Sequence, residues 1–241
     1  MTDFQRKLIE VAQDNPATRG IIDEKSAQDL EVLTRHMLRV NETLNLTAIK
    51  DEGGVILKHL VDSSACVPLI KENARVADIG CGGGFPSLVI SILRGDVSVF
   101  AVDSVTKKVK YVQDTANMLG LDVKTSNRRA EELGQDAGYR EAFDVVTARA
   151  VGRLNLISEL CLPLVKVGGC FIAMKSQSTD EEIDEAQNAI ALLGGKIEEV
   201  KRYTLSDKNE SLERTIVLVK KVKETPNKYP RNNSQISKRP L

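Results

Sequence analysis

The chain has 241 residues, 41% hydrophobic and 28% charged, enough for one large α/β domain or two small ones and too many for a disulfide-stapled module. Lys plus Arg (34) balances Asp plus Glu (34), which excludes a field strong enough for indiscriminate nucleic-acid binding but leaves room for a local basic patch. Cys66, Cys81, Cys161 and Cys170 form no CxxC pair and have no paired histidine ligands, so they read as small core residues in a reducing compartment and no metal site is expected. The amino-terminal MTDFQRKLIE lacks the apolar stretch of a secretory signal, and no run approaches the roughly 18–20 apolar residues of a membrane helix. The sequons at Asn41, Asn45 and Asn232 then count as chance, and the expected compartment is the cytoplasm.

In chain order, Leu30, Leu33, Met37, Val40 and Leu44 recur at steps of three and four, which predicts an amphipathic helix over about 26–47. Ser26-Ala27-Gln28-Asp29 has the form of a capping box at its start. Everything to about Asn73 reads as helical. From Arg75 the texture changes: 75–79, 97–102, 143–148 and 170–174 are short apolar strand candidates. The helix expected over 107–119 places Val109, Val112, Ala116 and Leu119 on one face and stops at Gly120. Further helices are expected over 154–165 and 181–193. Strands alternating with helices imply a parallel sheet covered on both faces. The runs 196–203 and 214–220 have no long helix between them and predict a closing antiparallel hairpin. From Lys220 to Leu241 seven bases face one acid, a local charge of +6, and three prolines with little apolar content argue against a packed helix there.

The strongest chemical signal is Asp78-Ile79-Gly80-Cys81-Gly82-Gly83-Gly84-Phe85, where an apolar strand runs into glycines and then into a helical stretch. Such a loop lets a ligand approach bare backbone beside a helix start. A dinucleotide fingerprint needs glycine at its first, third and sixth positions, and here the sixth is Phe85. The spacing is G-x-G-x-G, the form seen in domains that bind S-adenosylmethionine. Asp78 stands where the amino-acid portion of that ligand would be received, directly or through water, and where a pyrophosphate would be repelled. Asp103 lies 23 residues after Gly80, directly after the second strand, where ribose hydroxyls are bound. Ala130 and Glu131 follow the third strand, at the expected adenine site, and Arg149 ends the fourth.

The fourth strand also excludes chemistry. Exocyclic amine methylation is usually marked by a D/N-P-P-aromatic tetrapeptide there, but the chain reads Thr147-Ala148-Arg149-Ala150. Cytosine C5 methylation needs a nucleophilic thiolate, and Cys161 sits within a helical run as a core residue. Guanine N7 already exposes a lone pair and has no proton to lose, so a site without an obvious base is compatible with it.

Asn45-Leu46-Thr47-Ala48-Ile49, Lys58-His59-Leu60-Val61-Asp62-Ser63, the loop 80–86, Asp103-Ser104 with Lys107-Lys108, Arg129-Ala130-Glu131, Thr147-Ala148-Arg149-Ala150, Tyr229-Pro230-Arg231 and Arg239-Pro240-Leu241 occur in order. Together they resemble the bacterial RsmG/GidB family, the ribosomal RNA small subunit methyltransferase G proteins, over nearly the whole chain. The resemblance implies a class I S-adenosylmethionine-dependent methyltransferase: a Rossmann-like α/β fold with a mostly parallel sheet, a closing antiparallel hairpin and an N-terminal helical extension. The expected divisions are 1–73 for the extension, 74–222 for the cofactor-binding core and 223–241 for the basic tail. It implies N7 methylation of a guanine in the decoding-region loop of 16S ribosomal RNA, with naked RNA or a small-subunit particle as acceptor. Carried over by position, Gly80, Phe85, Ala130, Glu131 and Arg149 are implied cofactor contacts; Gly82 and Asp103 join them on physical grounds. No catalytic side chain is singled out, and the oligomeric state stays open. Ser87 stands where many members carry glycine, and Lys108 where arginine is frequent.

Lys58-His59 and Asp62 have two readings. One is approach to the guanine or to the cofactor's methionine end from the helical extension; the other, favoured here, is local, with His59 and Asp62, three apart on a helix, bonding each other or capping a neighbour. His36 reads as structural. Lys175 and Arg153 are candidate phosphate contacts, and the tail suits RNA phosphates. Two other classes fit the glycine loop. A small-molecule methyltransferase would keep turnover without the tail, and a non-catalytic nucleotide module would bind NAD or ATP as well as S-adenosylmethionine.

Overall fold

A computed structural model describes residues 1–176 and 180–241. Two helices open the chain, α1 (Asp3–Asp14) and α2 (Glu24–Leu44). The cap of α2 differs from the sequence expectation: Asp23 is the N-cap and Ser26 is the third helical residue that answers it, because the carboxylate bonds the Ser26 amide at 2.8 Å and the hydroxyl takes the Asp23 amide at 3.0 Å. Asn45 then ends the helix in the left-handed conformation. A further helical stretch has α3 (Glu52–Val55), a π-helical turn over Ile56–Val61 and α4 (Asp62–Ser64).

The core follows as β1 (Arg75–Ile79), α5 (Ser87–Leu93), β2 (Ser98–Val102), α6 (Thr106–Leu119), β3 (Val123–Ser126), α7 (Ala130–Gln135), β4 (Phe143–Arg149), α8 (Leu154–Cys161), β5 (Val165–Lys175), α9 (Asp180–Leu192), β6 (Gly195–Ser206) and β7 (Ser211–Lys221). The seven strands form one sheet in the order β3-β2-β1-β4-β5-β7-β6. The first five run parallel, and β7 inserts antiparallel between β5 and β6. The alternating pattern and the closing hairpin therefore fold as expected. The helix expected to reach Val165 stops at Cys161, where Leu162-Pro163-Leu164 makes a 3₁₀ turn, and β5 begins five residues before its predicted start.

Successive strand residues point to opposite faces, so both faces are apolar. Val76, Val99, Ala101, Val145 and Ile172 join a cluster with α1, α2, α5 and α6, including Leu8, Leu30, Leu33 and Met37. Ala77, Val102, Val146, Phe171 and Ala173 join the opposite cluster with α7, α8 and α9.

The tail departs from its expectation. It carries a short helix, α10 (Asn233–Lys238), whose Ile236 is buried in that second cluster. Arg140 donates to the carbonyls of Tyr229 and Thr225 at 2.8 and 2.6 Å, and Arg231 pairs with the fully buried Glu159 at 2.6 Å. Lys221, counted among the tail's bases, is buried against Glu141 at 2.9 Å. Two of the seven bases, Lys221 and Arg231, are thus neutralised by acids of the core. None of the described helices is long and apolar enough to cross a membrane.

Candidate functional site

The order of the sheet reverses at β1, which has β2 on one side and β4 on the other, and a crevice opens at the carboxyl ends of these strands. Register aligns the ends, with Ile79 beside Val102 and Ala148. The amides of Gly80 and Cys81 both reach the carbonyl of Val102, at 2.8 and 3.0 Å, and turn the chain sharply out of the sheet. Gly80 has φ +75°, and a Cβ there would lie 2.7 Å from Cγ2 of Val151. At Gly82, φ +54°, a Cβ would meet nothing nearer than 3.9 Å, so bare backbone faces open space.

Asp103 ties the loop to β2: Oδ2 accepts from the Gly82 amide at 3.0 Å and Oδ1 from the Val105 amide at 2.9 Å. Asp78 does not reach the cleft surface. It is fully buried beneath the loop, where its carboxylate accepts from the Ser87 amide at 3.1 Å and the Thr147 hydroxyl at 3.0 Å. Burial pushes its carboxyl up to about 6. It therefore shapes the loop from below and forms no part of the cleft surface, which corrects the expectation of direct contact with the ligand's amino-acid portion. Ser87 opens α5 outside the positive-φ region, so the backbone there tolerates a side chain.

Arg149 is the last residue of β4, and four of its N–H groups are held by protein. Nη1 donates to the Lys58 carbonyl at 2.8 Å and to Asp62 at 2.9 Å, Nη2 meets Nδ1 of His59 at 3.2 Å, and Nε reaches the Phe85 carbonyl at 3.3 Å. His59 and Asp62 thus both turn to Arg149 instead of to each other. Asp62 also accepts from Arg214 Nε at 2.9 Å. The imidazole stacks on Phe85 at 4.6 Å, and burial with the adjacent guanidinium pushes its pKa down to about 3, so it is neutral.

Two adjoining clefts flank Val151. One, of 340 Å³, brings together Gly80, Gly82, Phe85, Asp103 and Arg149 with Thr47, His59 and Lys108. The other, of 370 Å³, shares Gly80, Asp103 and Val151 and adds Ala130 and Glu131. All seven residues singled out from the sequence therefore line these two adjoining clefts. Leu156 and Leu160 of α8 give the second cleft apolar walls, and Asn233 and Ser237 of α10 help close it. Both clefts mix charged and apolar walls, Lys108 and Arg149 with Leu46 and Phe85 in the first and Arg128, Arg129 and Glu131 with Leu156 and Leu160 in the second, and Asp103 stands at their junction. Two such compartments fit a zwitterionic amino acid joined to a nucleoside.

Thr47, Val151, Asn233 and Ser237 also line the clefts, and no local periodicity in the sequence marks them. Lys175 and Arg153, read as phosphate contacts, pair instead with Glu182 and Glu185. His36 stacks on Tyr111 at 5.6 Å, a structural contact. Cys161 is fully buried, and burial pushes its thiol well up, which removes it as a nucleophile.

The comparisons with known proteins agree with this geometry. A family model described as GidB, rRNA small subunit methyltransferase G, matches residues 26–212. The ribosomal RNA small subunit methyltransferase G of Lactobacillus acidophilus is 42% identical over 225 residues, 91% of this chain and 93% of that protein. Its counterpart in Lactobacillus delbrueckii subsp. bulgaricus is 45% identical over 221 residues, 89% and 91% of the two chains. Among solved structures, a SAM-dependent O-methyltransferase from Thermotoga maritima superposes with TM-score 0.50 at 18% identity, covering 79% of this chain and 72% of that one; the likeness is one of fold. A class I methyltransferase sheet, a G-x-G-x-G loop joined to Asp103, and relatives matched along nine-tenths of their length lead to one assignment: the chain belongs to the GidB family, rRNA small subunit methyltransferase G.

Proposed function

We propose that the crevice transfers a methyl group from S-adenosylmethionine to N7 of a guanine in the decoding-region loop of 16S ribosomal RNA, in the cytoplasm. The observation that carries this reading is the meeting of the glycine loop, Asp103 and Arg149 in one crevice, in a chain of the rRNA methyltransferase G family.

When bound, the cofactor supplies an electrophilic methyl group on a sulfonium sulfur. Asp103, at the junction of the clefts, is placed to accept from ribose hydroxyls. Ala130, Leu156 and Leu160 form the apolar side of the adenine compartment, with Glu131 as a polar edge. A guanidinium has five N–H groups, so Arg149 retains one beyond the four held by protein; with Lys108 it offers positive charge to the methionyl carboxylate. With His59 neutral and the Cys81 thiol buried, no strong base among the described residues faces the first cleft, which suits an acceptor nitrogen that already carries a free lone pair. Catalysis is then chiefly positioning of that nitrogen in line with the methyl group.

The test is incubation with radiolabelled S-adenosylmethionine and small-subunit RNA or particles from a strain lacking the gene. Label recovered as 7-methylguanine in the decoding-region loop supports the reading. Label on another base, or on a small molecule alone, rejects it.

A further inference from the structure

Thr47 is held more tightly than a loop residue needs to be. Its carbonyl accepts from Asn41 Nδ2 and its amide donates to Asn41 Oδ1, both at 2.9 Å, and Asn41 is buried on α2. Its hydroxyl oxygen accepts from the Ile49 amide at 3.1 Å and lies 2.8 Å from Nε2 of His59. The segment is pressed onto the glycine loop: Cβ of Leu46 lies 3.5 Å from where a Cβ on Gly83 would sit.

The direction of the His59 bond follows from its other side. Nδ1 faces Nη2 of Arg149 at 3.2 Å, and a guanidinium can only donate. Nδ1 also lies 3.1 Å from the Lys58 carbonyl, whose oxygen accepts from Arg149 Nη1 at 2.8 Å and keeps its second lone pair, so it is the Arg149 Nη2 contact that fixes the ring's proton. A proton on Nδ1 would set N–H against N–H, so the neutral ring carries its proton on Nε2 and donates it to Thr47. Both lone pairs of the Thr47 hydroxyl are then filled, one by Ile49 and one by His59. Its own proton finds no protein acceptor among the described residues, and Thr47 lines the first cleft. Asp62, Arg149 and His59 thus make Thr47 an obligatory donor into the cleft.

We infer that Thr47 donates its hydroxyl proton to O6 of the target guanine, which makes it a specificity-determining and positioning residue. This rests on the guanine-N7 reading above. The guanine edge that carries N7 presents two acceptors, N7 and O6, whereas adenine presents a donor in place of O6. A donor on N7 would block the lone pair that attacks the methyl group; a donor on O6 leaves it free and fixes its place. An amino group at that position would meet the Thr47 proton head-on.

The test crosses Thr47→Val, which keeps shape and removes the hydroxyl, with RNA carrying guanine or 2-aminopurine at the target, the latter retaining N7 and lacking O6. With guanine RNA, Thr47→Val lowers kcat/KM by about tenfold to a hundredfold, and Thr47→Ser restores most of it. With 2-aminopurine RNA, Thr47→Val and the unmodified enzyme differ by less than about twofold. In Thr47→Val the Kd for S-adenosylmethionine rises by less than kcat/KM falls, and ¹⁵N shifts of His59 in the unmodified enzyme report protonation on Nε2. The inference is overturned by an equal loss on both RNAs, by a rise in the cofactor Kd matching the fall in kcat/KM, or by protonation on Nδ1. If the unmodified enzyme places no label on guanine N7, the guanine reading fails first and the inference with it, an outcome separate from these.

Discussion

Asp62 receives Nη1 of Arg149 at 2.9 Å from 87 residues further along the chain, so one carboxylate anchors the end of β4 to the N-terminal helices. Its other oxygen takes Arg214 of β7 at 2.9 Å, with both arginine side chains at most 15% exposed. Two guanidinium groups thus share one buried anion at the back of the site. Removing a partner from a buried ion cluster leaves uncompensated charge and costs about 3–5 kcal/mol. Asp62→Ala should therefore lose that much in urea unfolding, and cofactor affinity should fall as Arg149 relaxes. Unchanged stability would show that Asp62 is replaceable by solvent.

His59 makes stability depend on pH. Its folded pKa is depressed to about 3 against an ordinary value near 6.5, so below pH 6.5 the unfolded chain takes up a proton that the folded chain refuses. Its stabilising effect is present above that value and is lost as pH falls toward 3. At pH 5 the loss is about 2 kcal/mol. A His59→Asn variant should show a smaller drop in stability between pH 7 and pH 5 than the unmodified protein, measured by urea unfolding at each pH. Parallel curves would contradict the neutral buried ring.

Gly80→Ala introduces both a strained φ and a Cβ 2.7 Å from Cγ2 of Val151. The backbone part alone costs about 1–3 kcal/mol. Gly80→Ala should lower stability and cofactor affinity together, and adding Val151→Ala should recover only the part due to the clash. Thermal unfolding and cofactor titration of the single and double variants separate the two contributions.

The tail offers a separable pair of effects. Arg231→Ala leaves the buried Glu159 carboxylate without its guanidinium and should destabilise by about 3 kcal/mol. Asn233→Ala with Ser237→Ala touches only the wall of the second cleft, so unfolding should be nearly unchanged while the Kd for S-adenosylmethionine rises several-fold. An unchanged Kd would mean that α10 closes the cleft without touching the ligand.

What was legible in the sequence was what is local along the chain. The strand, glycine turn and helix start of β1–α5 are contiguous, and Asp103 reaches Gly82 across only 21 residues, so spacing alone located them. The bonds that define the back of the site span far more: Arg149 to His59 across 90 residues and Arg214 to Asp62 across 152. No periodicity encodes such pairs, and His59 and Asp62 therefore looked like each other's neighbours. The tail was misjudged for the same reason. Its apolar content is small, and what orders it is supplied from elsewhere: Glu159 lies 72 residues before Arg231, and Arg140 holds carbonyls 85 and 89 residues away. Asp78 was placed correctly on the sheet, yet only the fold shows it facing inward beneath the loop.

Calorimetric titration of the purified protein with S-adenosylmethionine tests most directly whether the crevice formed by the glycine loop, Asp103 and Arg149 is a cofactor site. One molecule should bind per chain, with S-adenosylhomocysteine competing, and Asp103→Ala should weaken binding at least tenfold while the fold persists. Absence of heat for both ligands with folded protein, or full affinity in the Asp103→Ala variant, would contradict it.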